Sequence, residues 1–203
     1  MSSPPTTVLE VSEAEAAAIR AAVAGADLTT LGPGWSLARP TDAADLAAFL
    51  ADPAVSDAIY DLPRPITEAT VRRWIEESEA LQREGRRLLL LTRDETGALV
   101  GYSCVSVWPE RSAAELAGAL ARSRQNERQG GAGALHTFSW IFDTLGVRMM
   151  CLTAALDNVR SARLIDAAGF VRMGERDCVR PDGPTRRSLY WEVTREQWQA
   201  RWG

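Results

Sequence analysis

The chain has 203 residues, of which 46% are hydrophobic and 25% are charged, and this composition is typical of one globular domain with a sizeable core. The formal net charge of -4 argues against a nucleic-acid-binding surface, and the sequence has no run of about 18 apolar residues that could span a membrane. The amino-terminal residues lack the basic start and apolar stretch of a secretion signal, so we expect a cytoplasmic protein.

The first 33 residues are predicted to be an extension that carries one helix. Ser12 is placed to cap this helix and Glu15 follows three residues later, which is the spacing of a capping box, while Gly25 is placed to end it. The sequence leaves open whether the helix packs on the rest of the chain or on a partner subunit. We predict that residues 34–203 form the main domain.

The main domain opens with a short strand (WSLARP), a helix that begins at Thr41, and a proline-rich loop over residues 54–67. This loop is a candidate lid over a substrate. A long amphipathic helix is predicted from Thr67 to about Glu84, where Gly85 ends it.

Strands dominate the middle of the chain. The segments RLLLLTR and LVGYSCVSVW flank a DETGA turn and predict a hairpin, and AAELAGALA predicts a third strand. A helix from about Gly133 to Leu145, a strand in RMMCLTAA, a helix over residues 158–168 and a late strand in SLYWEVT follow. Strands interleaved with helices in this way predict an α/β fold with a mixed sheet and helices on both faces.

The stretch RQNERQGGAG, residues 124–133, places three glycines where a helix is predicted to start. Main-chain N–H groups at a helix start have no partner within the helix, and glycine lets a phosphate approach them closely, so the stretch predicts an anion site. It lacks the Gly-Lys-Ser/Thr ending of a Walker P-loop. A dinucleotide fingerprint is excluded as well, because His136 stands where a small residue is needed.

Two motifs stand in order along the second half of the chain. The first is Arg128-x-x-Gly131-x-Gly133, between a predicted strand and a helix, and the second is LDNVRSARLIDAAGFVRMGERD, with Asn158 and Ser161 near its start. Together they resemble the GNAT superfamily of acetyl-CoA-dependent N-acetyltransferases. The strand SAAELAGALA and the late TREQW are similar to the ribosomal-protein-alanine branch of that family.

The resemblance implies a single-domain GNAT-like fold, whose mixed and mostly antiparallel sheet is splayed between its fourth and fifth strands. Acetyl-CoA would be the co-substrate, with its pantetheine arm in the opening. For Asn158 the alternative is a helix N-cap, and for the glycines an ordinary turn. The residues that the resemblance assigns to the coenzyme are Arg128, Gln129, Gly130, Gly131, Ala132, Gly133, Asn158 and Ser161.

Acetyl transfer to an amine needs a base for the amine and a proton donor for the departing thiolate. Glu115 is the only acid in the AAELAGALA strand and is the candidate base, with a solvent-facing strand residue as the alternative. Many members of the resembled family carry a tyrosine acid seven residues after the motif asparagine, where this chain has Ile165. In a direct attack of the amine on the thioester, Ser161 or solvent would then protonate the departing thiolate. The alternative is that the chain is a non-catalytic acyl-CoA-binding protein.

Tyr60, in the proline-rich loop, and Trp108, at the end of the hairpin, are candidate walls of the acceptor site, with a place in the aromatic core as the alternative. A protein N-terminus as acceptor requires an open groove at the loop. A small cationic amine, such as an aminoglycoside or polyamine, requires a closed pocket with extra acids, for which Asp57, Asp61 and Glu110 are candidates. We expect no nucleic-acid or membrane partner, and a homodimer is compatible with the sequence.

The remaining reactive side chains are predicted to be structural. His136, the only histidine, has no acid partner nearby in the sequence, so it is not expected to be a base. Cys104, Cys151 and Cys178 are odd in number and far apart, which fits neither a disulfide framework nor a metal site. We predict buried thiols and no metal.

Overall fold

A sheet of seven strands runs through the protein. The computed structural model describes residues 3–125 and 129–203, without the side chains of residues 129–132. In this part of the chain the strand order is β1-β2-β3-β4-β5-β7-β6, and all neighbours are antiparallel except β4 and β5, which are parallel. The strands are β1 (Trp35–Leu37), β2 (Arg87–Arg93), β3 (Leu99–Trp108), β4 (Ala113–Leu120), β5 (Met149–Ala155), β6 (Val171–Val179) and β7 (Thr185–Thr194).

Helices cover both faces of the sheet, as the sequence predicts. Apolar side chains alternate along the strands, so each face of the sheet contributes to its own hydrophobic core. Helices α1, α5, α6 and α7 contribute to the first core, and α2 and α4 contribute to the second. The helices are α1 (Glu13–Ala24), α2 (Ala43–Leu50), α3 (Pro53–Ser56), α4 (Glu68–Arg83), α5 (Gln129–Leu145), α6 (Val159–Ala168) and α7 (Arg195–Trp202).

The amino-terminal helix α1 packs on the body of the protein. Ile19 and Val23 are buried in the first core, together with residues of β2 and α5, and burial of each such side chain contributes about 1.5–3 kcal/mol. The Ser12 hydroxyl accepts a hydrogen bond from Glu15 N, as the capping motif predicts. The Glu15 carboxylate binds Arg148 Nε at 2.7 Å, which ties α1 to the start of β5. The apolar face of α1 is therefore used within the chain.

Four elements differ from the sequence prediction: helices α3 and α7 are not predicted, α5 begins early, and β6 is not predicted. Helix α5 begins by Gln129 instead of near Gly133, so the glycines lie within its first turns. Glycine is a poor helix former, and the extra turn is held by the apolar residues further along α5 that pack in the first core. Strand β6 is absent from the prediction, because its side chains are mostly exposed and Cys178 is its one buried residue. Its hydrogen bonds to β7, and not its hydrophobic pattern, define this edge strand.

Candidate active site

Strands β4 and β5 separate in the middle of the sheet. Within the described residues their pairing ends at Glu115 and Cys151, although β4 runs on to Leu120 and β5 to Ala155. A V-shaped opening therefore lies between the two strands. The predicted splay between the fourth and fifth strands is confirmed.

Two helices begin at the rim of this opening. Because β4 and β5 are parallel, α5 and α6, which follow them, start at the same edge of the sheet. The first N–H groups of each helix lack intrahelical partners and carry partial positive charge, so this edge suits a phosphate. Arg128 lies outside the described residues. The other coenzyme residues predicted from the glycine-rich stretch lie in the first turns of α5: Gln129, Gly130, Gly131, Ala132 and Gly133.

Asn158 and Ser161 lie at the start of α6, beside the opening. Asn158 Oδ1 accepts a hydrogen bond from Ser161 N at 3.1 Å, so Asn158 is the N-cap of this helix. Arg160 Nη1 donates to Gln125 Oε1 at 3.2 Å, which links the start of α6 to the segment that follows β4. The capping role of Asn158 is thus present, and it places Asn158 and Ser161 together at the rim.

Glu115 lies in the last paired row before the strands separate. Its side chain is buried, with the residue 3% exposed, so the solvent-facing alternative does not hold. Thr153 Oγ1, in the diverging part of β5, donates to Glu115 Oε1 at 3.2 Å. A carboxylate held in this position can take a proton from an amine that enters the opening.

One row of side chains crosses the sheet at the level of Glu115. Glu115 pairs with Cys151 of β5, which in turn pairs with Glu192 of β7. Because neighbouring strands lie about 4.8 Å apart, the two acids stand about 10 Å from each other. Burial, and then the charge of Glu115, raise the pKa of the Cys151 thiol well above its ordinary value. The thiol is therefore neutral and a poor nucleophile.

The proline-rich loop is anchored to β7. Arg186 Nη1 donates to Ala58 O at 2.7 Å, and its guanidinium carbon lies 5.3 Å from the centre of the Tyr60 ring. Tyr60 is buried. Burial also raises the pKa of Asp61, although the positive charges of Arg87 and Arg186 act to lower it. The loop is thus fixed beside the carboxyl end of β5 and the start of β7, with Tyr60 packed beneath it.

The other predicted acceptor residues are spread out. By strand alternation Trp108 faces the same side of the sheet as Glu115, but it lies at the closed end, where β4 begins. Glu110 follows β3 at that end and forms an ion pair with Arg86 at 3.2 Å, whereas Asp57 is exposed on the loop. The acids that would suit a small cationic acceptor therefore do not converge on one pocket.

Ile165, His136 and Cys104 occupy structural positions. Ile165 is buried in the first core, so this position supplies no hydroxyl near the rim. His136 Nε2 lies 2.9 Å from Thr30 O, in the turn that follows α1. Burial raises the pKa of the Cys104 thiol to about 12. The three cysteines are buried and free, which confirms the prediction of buried thiols.

Sequence reasoning missed Thr153, Arg186 and Glu192. Glu192 is the only acid in the strand segment SLYWEVT, just as Glu115 is the only acid in AAELAGALA, so the sequence carries the same signal for both residues. Thr153 and Arg186 carry no such signal, because their contacts depend on which strands become neighbours. The opening is thus built from strands that are distant in the sequence.

No group of three or more His, Cys, Asp or Glu side chains suited to a metal ion occurs in residues 3–125 and 129–203. None of the helices in these two ranges is both long and apolar enough to cross a membrane.

Several solved structures share this fold. Ribosomal-protein-S5-alanine acetyltransferase from Vibrio fischeri is 16% identical, with 81% of this chain and 93% of that chain covered and a TM-score of 0.68. Mycobacterium smegmatis RimJ, in complex with CoA-disulfide, is 20% identical, with 80% and 82% covered and a TM-score of 0.67. AAC(6')-Ib, in complex with ribostamycin and coenzyme A, is 20% identical, with 83% and 97% covered and a TM-score of 0.66. No curated protein matches the sequence.

The sequence matches the acetyltransferase (GNAT) domain over residues 36–171, which is more than half of the chain. The matched range includes β2 to α6, and with them Glu115, Asn158 and Ser161. It therefore contains both sides of the opening and the helix starts at its rim. On this match the chain belongs to the GNAT acetyltransferase family.

Proposed function

We propose that the chain transfers the acetyl group of acetyl-CoA to a primary amine, with Glu115 as the base. The observation that carries this proposal is the position of Glu115. Its carboxylate is buried, accepts a hydrogen bond from Thr153, and lies in the last paired row before β4 and β5 separate. A thioester in the opening would stand next to that row.

The main-chain N–H groups from Arg128 to Gly133 are the proposed pyrophosphate site. The start of α5 supports this role, and glycine keeps the approach to it open, since a Cβ added at Gly133 would meet nothing within 4 Å. Asn158 and Ser161, at the start of α6, would contact the pantetheine arm. The starts of α5 and α6, at one edge of the sheet, thus fit a long ligand that carries a pyrophosphate and a pantetheine arm.

Acetyl-CoA supplies the activated acyl group. Glu115 takes one proton from the amine, directly or through water, and the nitrogen attacks the thioester carbonyl carbon. A C–N bond forms, the C–S bond breaks, and the sulfur takes up a proton. Ser161 is the proposed donor of that proton, with solvent as the alternative, since Ile165 has no hydroxyl. The neutral, buried Cys151 supports direct attack without a covalent enzyme intermediate.

A polypeptide N-terminus is the acceptor that we favour, with Tyr60 close to its entry. The Vibrio fischeri protein is named for acetylation of ribosomal protein S5 alanine, and AAC(6')-Ib was crystallised with ribostamycin, so both acceptor classes occur on this fold. Asp57, Asp61 and Glu110 do not converge, and Arg186 lies against the loop. This arrangement argues against a small cationic acceptor and leaves it as the second candidate.

Calorimetric titration with acetyl-CoA, followed by thiol release with a panel of N-terminal peptides and small amines, tests the proposed function. We expect binding of acetyl-CoA and thiol release that depends on a peptide. Release with small amines alone would favour the second candidate. Binding without release in any mixture would favour the non-catalytic alternative, and no binding would contradict the coenzyme site itself.

The Gly131→Val variant tests the pyrophosphate site. A branched side chain at this position would stand between the first turn of α5 and the phosphate, so we expect the Kd of acetyl-CoA to rise by about tenfold or more. The matched control is Gly25→Ala at the end of α1, where an added Cβ would make an ordinary contact with Ala21 O at 3.5 Å. An unchanged Kd in folded Gly131→Val protein would overturn this assignment.

A further inference from the structure

The described amino-terminal segment, residues 3–7, lies on the sheet face that carries Glu115. Arg111, Arg176 and Glu192 bind it, and we call these three side chains the main-chain cradle. The contacts reach six main-chain atoms: Arg176 donates to Ser3 O and Pro4 O, both at 3.3 Å; Arg111 donates to Pro5 O at 3.0 Å and Thr7 O at 3.3 Å; Glu192 Oε1 accepts from Thr6 N at 2.7 Å and Thr7 N at 3.2 Å.

These contacts depend little on the sequence of the segment. Two side chains of the segment take part: Thr6 Oγ1 donates to Glu192 Oε1 at 2.8 Å, and the Thr7 side chain is also hydrogen-bonded to Glu192. Every other contact uses N–H and C=O groups that all peptides carry. Pro4 and Pro5 lack an N–H, and they are bound through C=O groups of the segment. The main-chain cradle therefore fits extended polypeptide in general.

The main-chain cradle is continuous with the candidate active site. Thr6 N also lies 3.3 Å from the Tyr190 hydroxyl, and Tyr190 pairs with Thr153 across β7 and β5. Thr153 is the residue that donates to Glu115. The bound segment thus lies two strands from the proposed base, about 10 Å away at the strand spacing.

Two polar atoms of the main-chain cradle are not used by the segment. Glu192 Oε2 and Arg111 Nε are buried and have no hydrogen-bond partner within the described residues. One is an acceptor and the other a donor, which is the complement of the N–H and C=O of a peptide. Buried polar groups are normally paired, so these two atoms point to a ligand that the segment replaces imperfectly.

We propose that the main-chain cradle binds the main chain of a polypeptide acceptor, and that residues 3–7 compete with this acceptor for it. This inference rests on the proposed function. The amine of the acceptor would lie at Glu115, and the acceptor residues that follow that amine would lie along β7. Burial favours the neutral acid, but hydrogen bonds from Thr7, Tyr190 and Thr6 lower the pKa of Glu192 and keep it charged. A charged carboxylate strengthens its bonds to peptide N–H groups.

The Thr6→Pro variant of the full chain tests the competition. Proline removes the N–H that binds Glu192 at 2.7 Å, so the segment should leave the main-chain cradle while all three cradle side chains stay. The probe is a fluorescent, N-acetylated peptide with the sequence of residues 3–9, which cannot be a substrate. We expect it to bind Thr6→Pro about tenfold more tightly than the parent chain. The matched control is Val8→Pro, at a residue that is 71% exposed, and its affinity should equal the parent's.

A second variant keeps the test decisive. Arg176→Ala in the Thr6→Pro background should weaken peptide binding by about tenfold. If Thr6→Pro is poorly folded by circular dichroism, Thr7→Pro removes the other N–H bound to Glu192 and takes its place. Equal affinity in the parent and the segment-released chain, or no loss with Arg176→Ala, would overturn the proposal.

Separate measurements test peptide binding and turnover, so each proposal can be contradicted without the other. The labelled peptide reports on the main-chain cradle without acetyl-CoA, whereas thiol release reports on the proposed function. In kinetics, Thr6→Pro should lower KM for a peptide acceptor and leave the KM of a small amine unchanged. Changed binding without any thiol release would contradict the proposed function alone, and thiol release without changed binding would contradict the main-chain cradle alone.

Discussion

Glu115 and Glu192 stand at the two ends of one row across β4, β5 and β7, and their surroundings differ. Both acids interrupt an apolar strand, and both are buried, at 3% and 4% exposure. Glu115 lies beside the opening between β4 and β5, where Thr153 is its hydrogen-bond donor from β5. Glu192 is covered by residues 3–7, and its Oε1 accepts hydrogen bonds from Thr6, Thr7 and Tyr190. For these two equally buried acids we propose two different tasks, proton transfer at Glu115 and peptide binding at Glu192.

The largest expected effect is on the rate at the Glu115 end of the row. The Glu115→Gln variant keeps the shape of the side chain but cannot take a proton, so we expect kcat to fall by about 10²- to 10⁴-fold. Coenzyme affinity should remain, since Glu115 is not assigned to the pyrophosphate or the pantetheine. Thiol-release kinetics and calorimetry measure the two quantities.

His136→Gln is the control for that variant. It removes the single histidine, which is exposed and contacts Thr30, and it should keep the wild-type kcat. If kcat fell in His136→Gln and stayed unchanged in Glu115→Gln, the assignment of Glu115 as the base would be wrong.

A smaller effect, on stability, is expected at the other end of the row. Glu192→Gln removes a charge that several donors stabilise in a buried place, so the free energy of unfolding should fall by about 1–3 kcal/mol. We expect a smaller change for Glu115→Gln, because the Glu192 carboxylate also binds Thr6 N and Thr7 N and so holds residues 3–7 on the sheet. Urea denaturation at pH 7 measures both variants. A larger loss of stability in Glu115→Gln than in Glu192→Gln would contradict this difference between the two acids.

The smallest expected effect is the pH dependence of this difference. Hydrogen bonds hold the pKa of Glu192 below its ordinary value in the folded chain, so its contribution is complete above the unfolded pKa of about 4.3. That contribution is lost as the pH falls through the folded pKa. The stability gap between wild type and Glu192→Gln should therefore be constant near neutrality and shrink as the pH falls below about 4.3. A gap that widened with acid would contradict the direction of the pKa shift.

Local signals in the sequence were enough for most of the fold. Thr67 caps α4 and Gly85 follows its end with a φ of +74°, in line with the capping rules that predict both ends. Strand β6 was beyond such rules, because an edge strand with exposed side chains takes its hydrogen bonds from β7 and leaves no hydrophobic period. Helix α5 starts earlier than its glycines suggest, since packing further along the helix outweighs their low propensity.

Some residues of the candidate site could likewise be identified from local sequence signals, and others depend on distant parts of the chain. Glu115 was identifiable as a lone acid in an apolar strand, and the glycine-rich stretch as a helix start suited to an anion. Glu192 offered the same signal, but its partners Thr6 and Thr7 are about 185 residues away, so its role could not be derived from neighbours in the chain. The sequence predicts Trp108 and Tyr60 as aromatic walls of one acceptor site, but the structure places them at opposite ends of the sheet face.

By itself the sequence determined most of the elements and their order, the family, and the residue types of the proposed coenzyme site, because helix caps, strand periodicity and glycine spacing act over a few residues. Only the tertiary structure decided that Thr153 meets Glu115, that Arg186 anchors the loop, and that residues 3–7 lie against Glu192. These contacts join strands and segments far apart in the chain. They follow from strand order and register, which arise when the whole sheet packs its two faces at once.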